Sequence, residues 1–172
     1  MTTLVYYDYL PTSLGSMLLA SDGDALIGAW FEGQRYEPSR SPSWERRRNL
    51  PILLRAGAEL GEYFAGARTK FTLPLAPAGT PFQRDVWNAI AAIPYGETAA
   101  YRDLASRIGR PASFRAAGAA TGRNPLSIIV PCHRVVGADG ALTGYAGGLE
   151  RKRTLLALEH AARAAPAALR AA

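Results

Sequence analysis

The chain has 172 residues, 48% of them hydrophobic, with 20 basic against 14 acidic side chains and a single cysteine. One cysteine excludes an intramolecular disulfide and a thiolate-rich zinc site, and no apolar run approaches the ~18 residues a membrane helix needs. The N-terminus shows no basic segment followed by an apolar one, so a cytoplasmic protein of a reducing compartment is expected, with one domain or two small ones.

Taken in order, the first part reads as β-rich. Leu4–Tyr9, Ser16–Ala20 and Ala25–Phe31 are short β-prone runs, and Ser21-Asp22-Gly23-Asp24 is a turn signal between the last two. Residues 33–49 are polar, hold Pro38, Pro42 and Arg46-Arg47-Arg48, and read as a solvated loop. Leu53, Leu60 and Phe64 fall near helical spacing, which predicts a helix over Leu50–Phe64. Phe71–Leu75 is a candidate last strand, and Ala76-Pro77-Ala78-Gly79 a linker.

The second part opens on Thr80-Pro81-Phe82-Gln83, a capping-box start, with Phe82, Val86, Ile90 and Ile93 on one helical face. Pro94-Tyr95-Gly96 stops that helix, and Thr98 is placed to cap the next, whose apolar stripe is Tyr101, Leu104, Ala105 and Ile108. After Gly109-Arg110-Pro111 comes Ser113–Gly122, dense in alanine and glycine. Two short helices across a glycine turn outline a helix-turn-helix. The small residues of the second helix suit close packing on a neighbour or close approach to a DNA groove, with Arg115 as the long side chain. Leu126–Val130 reads as a buried strand, Ala138-Asp139-Gly140 as a hairpin turn of a wing, Gly144–Gly148 as a flexible loop, and Glu150–His160 as a helix. The tail after Ala161, broken by Pro166, is expected to fray.

The charge is uneven. Residues 1–79 hold eight basic and eight acidic side chains, whereas residues 80–172 hold twelve and six and carry the whole net +6. A basic half suggests a polyanionic partner, nucleic acid first. That half also holds Cys132, next to His133, one of only two histidines. A thiol beside an imidazole is a candidate nucleophile, and a carboxylate such as Glu159 on the last helix could complete a set that lowers the thiol pKa. Glu159 could equally pair with Lys152, Tyr101 could be plain core, Arg115 could be merely solvated, and His160 reads as a surface residue.

Pro131-Cys132-His133-Arg134, Tyr95-Gly96-Glu97-Thr98, the run Arg115 to Asn124, and Gly144-Tyr145-Ala146-Gly147-Gly148-Leu149-Glu150-Arg151-Lys152 together resemble the O6-alkylguanine-DNA alkyltransferases. The likeness covers residues 80–160 almost without a gap and the first half in outline. It implies an α+β chain with a small ribonuclease H-like sheet-plus-helix domain over 1–79. A mainly helical domain with a winged helix-turn-helix follows over 80–172. It implies a monomeric DNA repair protein, free of cofactor and metal, whose partner is double-stranded DNA containing O6-alkylguanine. O4-alkylthymine and cooperative loading on DNA are open alternatives.

The site residues follow from the same resemblance. Cys132 would accept the alkyl group, His133 would deprotonate it through a water, and Glu159 would orient His133. Asn124 would brace the active-site turn, and Tyr101 would donate a hydrogen bond to the departing guanine. Arg115 would replace the flipped nucleotide, with Ala116, Thr121, Gly122 and Arg123 on the same DNA-facing element. Tyr145 and the backbone of Ala146 would close over the base, and Lys152 would lie near the site as part of the DNA-facing set. The chemistry fits, because displacement at a saturated carbon needs a strong nucleophile and O6 of a stacked guanine is out of a buried thiol's reach unless the base is flipped out. A thioether product has no acyl-type step for water to reverse, so the protein would act once.

Four departures stand out. Residues 1–79 hold neither cysteine nor histidine, so the structural zinc of vertebrate members is not expected. Ala146 stands where some members carry serine or glycine. Ser127 stands where some carry proline, a change expected to affect which bulky alkyl groups fit. Thr12-Ser13-Leu14-Gly15 replaces the usual Ser-Pro-Leu-Gly turn. Two rivals remain, a lesion-binding module without transfer and a cysteine hydrolase.

Overall fold

The computed structural model describes residues 4–165, so residues 166–172 of the tail expected to fray lie outside the described range. A sheet-bearing first half leads into a mainly helical second half. β1 (Val5–Leu10), β2 (Met17–Ser21) and β3 (Leu26–Phe31) run antiparallel in that order, each within a residue of the predicted strand. The turn between β2 and β3 is fixed by side chains. Ser21 Oγ donates to the Ala25 carbonyl, and Asp22 Oδ1 accepts from the Asp24 and Ala25 amides.

The segment expected to be a solvated loop contains a strand. β4 (Trp44–Arg46) pairs parallel with β1 at the sheet edge. Arg46 meets Asp8 at 2.8 Å and Arg47 meets Glu45 at 2.6 Å. Three residues are too few to show a period, and the arginines hide the signal because an edge strand tolerates charge.

α1 (Pro51–Phe64) buries Ile52, Leu53, Ala56, Leu60 and Tyr63 against the sheet. The predicted strand at Phe71–Leu75 is reduced to a bridge, in which the Leu26 amide donates to Pro74 and the Ala76 amide donates to Leu26. α2 (Pro81–Ala91) starts with the capping box read from the sequence. Thr80 Oγ1 accepts from the Gln83 amide, and Gln83 Oε1 from the Thr80 amide.

Thr98 does not cap the next helix. The chain stays extended as β5 (Ala99–Ala100), which pairs parallel with β6 (Val135–Val136), and the Ala100 amide donates to Asp103 at the start of α3 (Tyr101–Arg107). A 3-10 turn at Pro111–Ser113 leads into α4 (Phe114–Gly122). Its small residues serve two surfaces. Ala117 and Ala120 are buried, and Trp87 of α2 donates its indole N–H to the Ala120 carbonyl, while Arg115, Ala116 and Ala119 face outward.

Leu126–Val130 is not a strand. The Asn124 side chain curls it into a turn, Oδ1 accepting from the Leu126 amide and Nδ2 donating to the Val130 carbonyl, and Ile128 takes φ 73°. The turn at Ala138–Gly140 is present, closed by the Gly137 amide on the Ala141 carbonyl, but no strand follows on its far side among the described residues. α5 (Leu149–Ala164) ends four residues beyond the predicted helix.

One continuous hydrophobic core runs through both halves, from Met17 and Phe31 of the sheet to Trp87, Leu104, Ala117 and Leu155. Backbone joins support it. The Ala29 amide donates to Pro125, the Ser127 amide donates to Ala29, and the Arg35 amide donates to Ala146. The Thr12–Gly15 turn, where Gly15 takes φ 110°, presents the Leu14 carbonyl to Arg151 of α5.

Candidate active site

Cys132 sits on a single 3-10 turn, Cys132–Arg134, between the curled segment and β6. Its thiol is buried yet lines a cavity of about 290 Å³ whose other walls include Tyr101, Gly118, Thr121, Tyr145 and Ala146. Asn124 Nδ2 lies 3.2 Å from Sγ and donates to it, so the same amide that shapes the turn supports electron density on sulfur.

Behind the cysteine, His133 Nε2 lies 2.7 Å from Glu159 Oε1, and both side chains are fully buried. Three further donors reach the same carboxylate. Tyr63 Oη donates at 2.8 Å, the Gly96 amide at 3.0 Å, and Arg134 Nε at 2.9 Å to Oε2. Arg134 also donates to the Ile93 carbonyl. Burial opposes ionisation of Glu159, but the His133 and Arg134 contacts outweigh it and lower its pKa to about 2. The Glu159–Lys152 pairing left open by the sequence does not form.

The charge pattern fixes the imidazole. Burial is the largest influence on His133 and lowers its pKa, Arg134 and Lys152 act in the same direction, and together they outweigh the hydrogen bond and charge of Glu159, so the ring is neutral. An ionised Glu159 can only accept, so Nε2 carries the proton. Nδ1 is then the acceptor nitrogen, buried and without a hydrogen-bond partner.

The thiol is not ionised at rest. Burial raises the Cys132 pKa, and the Asn124 hydrogen bond and the Lys152 charge oppose this without overcoming it. The neighbours, expected from the sequence to lower the thiol pKa, do not outweigh its burial, so the thiol needs a base to take its proton. Carbamidomethylation of Cys132 by iodoacetamide should therefore be slower at pH 7 than that of free cysteine, and its rise with pH should lie above that of free cysteine, whose pKa is about 8.5. A rate at pH 7 equal to that of free cysteine would contradict this.

Lys152 is also placed differently from the expectation that it belongs to the DNA-facing set. It is fully buried, and its ammonium donates to the carbonyls of Val135, Thr143 and Gly144. It ties β6 and the Gly144–Gly148 loop to α5, with its pKa lowered by burial to about 8. Thr121 is buried too, its hydroxyl donating to Ala117. Ser127 lies beneath the cavity wall rather than in it, its hydroxyl donating to Gln34 Oε1 at 3.1 Å. Tyr101 lines the cavity and makes only a long bond, 3.5 Å, to Thr143. Tyr145 Oη is buried with no partner. Arg115 stands outside, on a shallow groove that shares Tyr101 and Gly118 with the cavity.

Sequence reasoning missed Tyr63, Gly96 and Arg134 as partners of Glu159. It also missed Arg35 and Tyr36, which reach the cavity from the first half. Arg123, assigned to the DNA-facing set, stacks its guanidinium 3.9 Å from the Tyr36 ring centre.

The arrangement defines a class. It is a buried Cys–His–Glu site that opens into a small cavity beside the exposed face of a short helix. Comparison with known proteins gives the family. Residues 5–77 match the 6-O-methylguanine DNA methyltransferase, ribonuclease-like domain, and residues 81–161 match the 6-O-methylguanine DNA methyltransferase, DNA binding domain. The chain is 44% identical to the methylated-DNA–protein-cysteine methyltransferase of Haemophilus influenzae over 91% of its own length and 87% of that protein. It is 47% identical to the protein of that name from Mycolicibacterium paratuberculosis, over 96% and 98%. Among solved structures it resembles Mycobacterium tuberculosis OGT in complex with DNA, with a TM-score of 0.86, 43% identity and coverage of 96% and 98%. The chain belongs to the 6-O-methylguanine DNA methyltransferase family.

Proposed function

We propose that this protein repairs DNA by moving the alkyl group of O6-alkylguanine onto Cys132, once per molecule. The observation that carries this is the buried Cys132–His133–Glu159 chain opening into the cavity beside α4, in a chain of this family. Residues 1–79 act as the ribonuclease H-like domain and 80–172 as the DNA-binding and active-site domain, with α3 and α4 as its helix-turn-helix. Duplex DNA lies along α4, where Arg115 takes the place of the flipped nucleotide. Ala116 and Gly122 allow close approach, and Arg123 contacts the strand. Thr121 and the Tyr145–Ala146 loop line the pocket for the base.

The steps balance. The thiol proton passes to His133 Nδ1 through a water, and Glu159 stabilises the imidazolium that forms. Sγ, held by Asn124, attacks the alkyl carbon in line. The carbon–O6 bond breaks and its electron pair stays on guanine, where Tyr101 donates a hydrogen bond to the developing anion. The proton taken from sulfur restores neutral guanine, and Cys132 is left as a thioether. No metal is invoked, and among the described residues no group of three His, Cys, Asp or Glu side chains could hold one. The cytoplasm is proposed as the compartment, since a nucleophilic thiol survives in reducing conditions. Among the described residues no helix is long and apolar enough to cross a membrane.

The test is stoichiometry. With duplex carrying O6-methylguanine in excess, repaired guanine should plateau at a single equivalent per chain. Continued turnover would favour the cysteine hydrolase.

A further inference from the structure

The cavity over Cys132 has one wall from the first half of the chain. Gln34 is buried and acts as a peg, its Oε1 accepting from the Phe31 amide at 2.8 Å and from Ser127 Oγ at 3.1 Å. Beyond it the Arg35 amide donates to the Ala146 carbonyl, which joins this turn to the loop on the far side of the cavity. Tyr36 follows at φ 65°, a conformation a bulky residue adopts only when its surroundings impose it. Its ring lines the cavity, and the Arg35 and Arg123 guanidinium carbons lie 4.8 and 3.9 Å from its centre.

The other walls leave little give. Gly118 and Thr121 belong to a packed helix, and Tyr101 and Tyr145 are the groups proposed to receive the base. At about 290 Å³ the cavity sits at the low end of ligand pockets. Tyr36 is the large side chain on a surface turn, with two-fifths of its surface exposed, and the turn is held by the Gln34 peg and by the Arg35–Ala146 backbone bond.

We propose that the Phe31–Glu37 turn is the size gate of the alkyl pocket. Tyr36 is the side chain that limits the O6 substituent, and Gln34 is the positioning residue that holds it. This rests on the alkyl-transfer reading above. It makes small groups such as methyl the preferred cargo and gives the first half a direct part in selectivity.

The experiment presents duplexes carrying O6-methylguanine and O6-benzylguanine in one tube and follows both adducts on Cys132 by mass. Tyr36→Gly accepts the positive φ without strain and removes the ring, so the benzyl-to-methyl rate ratio should rise about tenfold, the scale on which a pocket discriminates apolar groups. Gln34→Ala should move the ratio the same way. A stability defect alone slows both transfers together and leaves the ratio unmoved. A ratio within about twofold of wild type in both variants overturns the gate. Wild-type protein that takes neither group overturns the transfer reading itself and the gate with it.

Discussion

Glu159→Gln should destabilise the protein by about 3–5 kcal/mol, the scale for breaking a buried ion pair. Arg134 is 6% exposed and its charge is answered by Glu159. The glutamine would leave that guanidinium buried without a counter-ion and turn an N–H pair toward His133 or Tyr63, both of which donate to the carboxylate now. The same carboxylate sets an acid limit. Its pKa falls from the ordinary 4.5 to about 2 in the folded state. A depressed carboxylate pKa contributes stability that is fully present above about 4.5 and is lost as pH falls toward 2. At about 1.4 kcal/mol per pKa unit the loss is about 3 kcal/mol. Urea unfolding from pH 5 to 2 checks both parts. Wild type should show the decline, and the variant should start lower with a flatter slope. Parallel curves would contradict this account of Glu159.

Cys132→Ala should abolish alkyl transfer while leaving affinity for lesion-bearing duplex nearly intact. The sulfur alone forms the new bond, and no other cysteine exists to replace it. The folded state loses the Asn124–Sγ contact, worth about 1 kcal/mol, and a small apolar volume, and Asn124 keeps the Val130 and Leu126 partners that shape the turn. Gel-shift affinity measured beside mass-detected transfer separates the two effects. Loss of both would make the thiol a structural element, and persistence of transfer would place the acceptor elsewhere.

The parts of this molecule that were legible in the sequence are those with local physical causes. β1 to β3 alternate or cluster apolar residues, and the Thr80-Pro81-Phe82-Gln83 cap is a four-residue device that folds as it reads. Cys132 and His133 are neighbours in the chain, so their chemistry was visible at once. The Leu126–Val130 run misled because a short apolar stretch fits a strand as well as a buried turn, and only the Asn124 side chain decides between them. β4 is an edge strand held by one parallel partner.

What escaped depends on distance along the chain. Tyr63 meets Glu159 across 96 residues and carries no motif, and Gly96 meets it across 63 through a backbone amide that its motif does not reveal. The burial of Lys152 follows from three backbone carbonyls, which any sequence presents. Tyr36 lies in a polar segment, and its left-handed backbone has no signal of the kind a glycine would give.

The most direct test of the central claim is the intact mass of the protein after mixing with duplex DNA carrying one O6-methylguanine, followed by peptide mapping. The account predicts a single added methyl group on Cys132, with unmodified guanine left in the duplex. Unchanged protein mass with tight lesion binding would contradict it and leave a binding module in its place.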